Sequence, residues 1–133
     1  MKTPDSEIRK YLQTLSVGAP VLDRVDKKQA YPYVHIQDIT VTDFTTADQN
    51  IWDCEVLLDV VTANDGRQGG RKASDTISAA LLTAFLDTRP IDLGDFLIVS
   101  AELIGTNYID EAVPPLFIIR KLARISITVE ETI

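Results

Sequence analysis

Three glycines and three cations stand together in the run DGRQGGRK, residues 65–72. The first chemistry such a run suggests is a cradle for phosphate. A phosphate-binding loop needs a glycine, four residues, then Gly-Lys followed by Ser or Thr. Here Gly66 is followed by Arg71 five positions later and Lys72 by Ala73, so that pattern fails. The dinucleotide pattern Gly-x-Gly-x-x-Gly fails too, because the glycines fall at 66, 69 and 70. The free amides of a helix N-terminus can still hold an anion. A strand-to-helix turn whose glycines reach positive φ accounts for the same residues without any ligand. The cations resist that simple account: Arg67, Arg71 and Lys72 crowd a helix N-terminus, where the macrodipole opposes positive charge by up to about 1 kcal/mol. An anion or an acidic partner surface offsets that cost, and the three residues are read as a contact patch.

The carboxylates offer a second chemistry. Asp53, Glu55 and Asp59 fall on one face of a strand and could together ligate a divalent cation. Arg120, Leu122 and Arg124 share one face of the last strand. If the two strands pair, the charges answer one another, each pair adding roughly 0.2–1 kcal/mol. The complementary-pair reading is preferred to the metal. His35 is the only histidine, so a His-rich metal site cannot be built. A Ser-His-Asp set would have to use His35, and no nucleophile-elbow motif supports it. Cys54, the single cysteine, sits among apolar alternate positions and reads as a core thiol. The expectation is a protein without catalytic residues, metal or cofactor.

These residues need elements to hold them. TPDSEIRKYLQTL reads as a first helix capped by Asp5 or Ser6, with Ile8, Leu12 and Leu15 on one face. Gly18 and Pro20 are expected to stop it. A long connection follows, with a short strand around Val21. YVHIQDITVTDF alternates, which predicts Tyr33, His35, Gln37, Ile39 and Val41 on one side and Val34, Ile36, Asp38, Thr40 and Thr42 on the other. IWDCEVLLDVV is the clearest strand, with Trp52, Cys54, Val56, Leu58 and Val60 on its apolar face. Ala73, Ile77, Ala80, Leu81, Ala84 and Phe85 recur at helical spacing before Pro90. FLIVSAELIGTNYI and LFIIRKLARISITVEE supply two more strands. The order is α-β-β-α-β-β, predicting an α+β fold: an antiparallel or mixed sheet with two helices packed on one face. Leu57, Ile118 and Leu122 then point outward among charges, a mixture suited to a protein–protein interface.

The chain has 133 residues, 45% of them hydrophobic and 25% charged, enough for one domain over 1–133 with its own core. Its net charge of −7 disfavours general nucleic-acid binding. One cysteine excludes an internal disulfide. No apolar run approaches the ~20 residues of a membrane helix. The N-terminus lacks a signal-peptide pattern, so synthesis and residence in a reducing cytoplasm are expected.

The order of segments resembles the tail-terminator or tail-completion proteins of long-tailed bacteriophages, over about Ile8 to Glu131. The likeness is carried by Pro32, Tyr33 and Val34 at a strand start. Gly70, Arg71 and Lys72 at a helix start, with Ala73, Ile77, Ala80 and Leu81 behind them, carry the rest. The resemblance implies a structural virion protein at the head-proximal end of the tail. It would be a homo-oligomeric ring, commonly a hexamer, that terminates the tail tube and docks the head. The implied partners are the tail tube protein, a head–tail connector or neck protein and DNA passing through the lumen, with no membrane. The interaction residues would be Arg67, Arg71 and Lys72, with Asp53, Glu55, Asp59, Arg120 and Arg124. A neck or head-closure protein, and a small cytoplasmic anion- or nucleotide-binding domain, are the alternatives.

Overall fold

The computed structural model describes residues 3–64, 71–86, 91–113 and 116–132. The elements are α1 (Asp5–Gln13), β1 (Val21–Leu22), β2 (Tyr33–Asp43), β3 (Ile51–Asn64), α2 (Arg71–Leu86), β4 (Ile91–Asp92), β5 (Phe96–Val113) and β6 (Leu116–Glu131). They build one six-stranded sheet in the order β1-β2-β3-β6-β5-β4. The pairing is antiparallel throughout except for β1 on β2. The four long strands and two helices follow the predicted order. The strand near Val21 has two residues, and a second two-residue strand, β4, was not anticipated.

The β3 alternation places Trp52, Cys54, Val56, Leu58 and Val60 in the core, all under 5% exposed. On β6 the matching face is Ala123, Ile125, Ile127 and Val129, set opposite them by a register that pairs Val56 with Ile125 and Cys54 with Ile127. Ile8 and Leu12 of α1 and Ile77, Leu81 and Phe85 of α2 join the β3 residues and Ile125, Ile127 and Val129 in one cluster. The helices also touch each other, through Tyr11, whose hydroxyl donates to the Ala84 carbonyl at 3.1 Å. Its ring meets Phe85 edge-on, with centroids 5.7 Å apart.

Three local expectations are corrected. In β2 the register with β3 slips between Ile36 and Asp38. This bulge inserts one residue and reverses the faces beyond it, so Ile39 and Val41 pack on the same core as Val34 and Ile36. Helix α1 is capped by Pro4 with no side-chain cap bond, because Asp5 and Ser6 lie inside the helix. It ends at Gln13 with Thr14 as C-cap, ahead of Gly18. In α2, Ala73 is exposed whereas Ser74 and Ser78 are buried, so small hydroxyl residues lie where α2 meets the sheet.

The sheet's two ends differ in charge. Segments 40–56, 91–107 and 125–132 make the end that holds the β2–β3 turn and β4. They contain Asp43, Asp48, Asp53, Glu55, Asp92, Asp95, Glu102, Glu130 and Glu131, and no Lys or Arg. The other end carries Arg120, Lys121 and Arg124 on β6 and Arg71 and Lys72 at the start of α2, together with Asp59, Asp75, Asp110 and Glu111, so its charges nearly cancel.

Candidate interaction site

Successive residues of a strand point to opposite faces, and on β6 the boundary between the two charged assemblies runs between Arg120 and Lys121. Arg120 belongs to the outer face. Opposite Val61 in register, it reaches diagonally to Asp59, with Nη2–Oδ2 at 2.7 Å and Nε–Oδ2 at 3.0 Å. Its Nη1 donates to Glu111 of β5 at 3.3 Å. One guanidinium therefore ties three strands together. The Asp59 hydrogen bonds, more than any other contact, raise the Arg120 pKa above its ordinary value. Asp59 is only 2% exposed. Its charge is matched through Oδ2, which accepts both arginine bonds, while its buried Oδ1 finds no hydrogen-bond partner among the described residues.

The same diagonal repeats along the strands. Arg124, opposite Leu57, bonds Glu55 at 3.0 Å, and Ser126, opposite Glu55, reaches Asp53 at 3.5 Å. Diagonal neighbours of this kind lie within reach of long side chains. Glu55 and Arg124 are each about half exposed, unlike Asp59. The metal reading of the three carboxylates finds no geometry: Asp59 and Glu55 are committed to arginines. Among the described residues, no three His, Cys, Asp or Glu side chains gather to hold an ion.

Between these pairs lies a groove of about 260 Å³, lined by Leu57, Ile104, Gly105, Thr106, Asn107, Leu122 and Arg124. Ile104 is the extra residue of a bulge in β5 and stands 55% exposed. The expectation that Leu57, Ile118 and Leu122 are exposed is corrected in part: Ile118 is buried, and the other two are half-buried.

The helix side of the same strands carries the second assembly. Arg71 bonds Asp110 of β5 at 3.0 Å and lies 4.4 Å over the Tyr108 ring. Lys121 bonds Asp75 at 2.9 Å and lies 5.2 Å from the same ring. The Tyr108 hydroxyl donates to Asp75. That bond, followed by the one from Lys121, holds the Asp75 carboxyl below its usual range. An aromatic face flanked by two cations gains cation–π energy of ~0.5–1 kcal/mol per exposed contact. Arg71 thus finds its acidic surface within its own chain. Lys72 is exposed, and Arg67 lies outside the described residues. Tyr108, Asp75, Asp110, Lys121 and Glu111 were not anticipated. Asp75, one helical turn after Arg71, was the one local signal that a charge network begins there.

Cys54 is buried, and desolvation pushes its thiol up to about 12. It is a packing residue of the core.

The sequence matches the family model for tail completion protein gp17 over residues 3–117. The chain belongs to the gp17 tail completion family. This tail completion protein is accordingly a structural component of the bacteriophage tail, engaged in tail assembly. No curated protein matches its sequence. Among solved structures, a chain in the virion of a native gene transfer agent particle shares its fold. The two are 17% identical with a TM-score of 0.60, the match covering 84% of this chain and 81% of the other. Among the described residues of the tail completion protein, no helix is long and apolar enough to cross a membrane.

Proposed function

We propose that this tail completion protein forms a closed ring, six-fold in the form the resemblance implies, at the head-proximal end of the tail. There it stops tube polymerisation and presents the surface on which the head docks. The family match over residues 3–117 carries the reading. The charge distribution supports it: a head-to-tail ring needs two unlike patches on each subunit, and a junction piece must offer different surfaces to tube and head. The acidic end of the sheet and the cation-bearing end are two such surfaces. The exposed members of the candidate set, Asp53, Glu55, Lys72, Arg71 and Arg124, are assigned to contacts with tube, neck or neighbouring copies. Asp59 and Arg120 serve as the internal brace that keeps the outer face in shape.

The test is mass measurement across concentration, with and without isolated tail tubes, followed by electron microscopy. Rings in solution or on tube ends are the expected result. A protein that stays monomeric at every concentration and leaves tube length unchanged would sink the reading.

A further inference from the structure

The sheet has two free edges of unlike sequence. On β5, the nine residues Gly105–Val113 run in unbroken register with β6. Among the described residues no strand pairs with their other side, since β4 covers only Leu97 and Ile98. On β2, Asp38–Asp43 run in unbroken register with β3, and β1 covers only Val34 and His35. Every second amide and carbonyl along such an edge points away from the sheet. Long open edges are templates for pairing, which proteins that stay single blunt with charged side chains, lysine above all, or with proline. These edges carry acids, Asp38 and Asp43 on one and Asp110 and Glu111 on the other, but no lysine or proline.

We propose that the free β5 edge of one copy pairs with the free β2 edge of the next, so that the sheet continues from subunit to subunit. The proposal rests on the ring reading above and names how the ring is held. Strand direction supports it. β2 and β6 run one way and β3 and β5 the other, so copies standing the same way up bring β5 against β2 antiparallel. That is the more stable pairing, and it joins two different edges, as a head-to-tail ring requires.

The two short strands set the register. β1 occupies one end of the β2 edge and β4 the opposite end of the β5 edge. The open stretches therefore face each other only when the neighbour is slid along the strands toward the β5–β6 turn. Closing a sheet on itself demands a stagger of this kind. Charge does not forbid the contact. Asp110 and Glu111 on β5 are already matched by Arg71 and Arg120, which offsets their repulsion of Asp38 and Asp43.

Hydrogen exchange on the full chain, compared between dilute monomer and ring fractions, reads the pairing directly. Slowing of at least about tenfold in peptides covering both 38–43 and 105–113 is expected. Exposed Ile104 and Ile109 allow a second arm: I104K/I109K places lysines along the edge and should give a folded monomer by circular dichroism and mass. Rings whose two edges exchange as fast as in the monomer overturn the edge pairing and leave the ring reading standing. Protection of one edge alone, the mark of a foreign strand, overturns it as well. Absence of rings under every condition removes both.

Discussion

Arg120 and Lys121 are adjacent in sequence, yet they fasten opposite faces of one strand: Arg120 holds Asp59 and Glu111 outside, Lys121 holds Asp75 on the helix side. The β5–β6 pair is thereby gripped from both sides at one level, on one face by β3 and on the other by α2. Each grip makes its own prediction.

Removing Arg120 strands a carboxylate that is 2% exposed. Arg120→Met should cost about 3 kcal/mol, the low end for breaking a buried pair, since the arginine itself is partly exposed. Arg124→Met removes a pair whose members are both half exposed and should cost under ~1 kcal/mol. Urea denaturation midpoints measure both. The double variant Asp59→Leu/Arg120→Met should recover most of the loss.

On the helix side, the depressed Asp75 pKa makes a statement about acid. The Tyr108 hydroxyl and then Lys121 favour the ionised carboxyl in the folded chain. Its contribution is complete above the unfolded-chain value and fades as pH falls through the lower folded value. Thermal midpoints of the wild type and Asp75→Asn should differ at pH 7 and converge as the pH falls well below the ordinary carboxylate range. A gap that persists at low pH would assign the effect to packing.

Cys54 should resist thiol reagents at pH 8 in the native state. With its thiol pushed up to about 12, labelling should be slower than for an open thiol by on the order of 10³-fold. It should become rapid and complete in denaturant.

Phe85 is fully buried and meets Tyr11 edge-on. Phe85→Ala should cost about 3–5 kcal/mol, and the loss should register in α1 as well as α2. Hydrogen exchange over 5–13 reports the coupling.

Much of the scaffold was legible because long strands with one covered face write strict alternation into the sequence. Trp52 to Val60 and Ala123 to Val129 gave the two central strands and the charges that would meet across them. The bulge at Gln37 was not legible, since a single inserted residue leaves the local polarity pattern unchanged while exchanging every face after it. β1 and β4 are too short to show any period. Asp59 read as a surface acid, because its burial is produced by Arg120, 61 positions away. The Tyr108 cluster was hidden for the same reason: it exists only where the start of α2 lies across β5 and β6. The residues outside the described set, Arg67 among them, keep the Gly-rich turn itself an expectation from sequence.

A segregation of charge along the strands gives the molecule a compass. Its anionic pole, set against an end whose charges nearly cancel, creates a field that rotates it as it nears a charged surface, before any contact forms. That guidance reaches about 10 Å at 0.1 M salt and shrinks as salt rises. A component that must be laid the right way up between two unlike neighbours carries its own sense of direction, most strongly in dilute buffer.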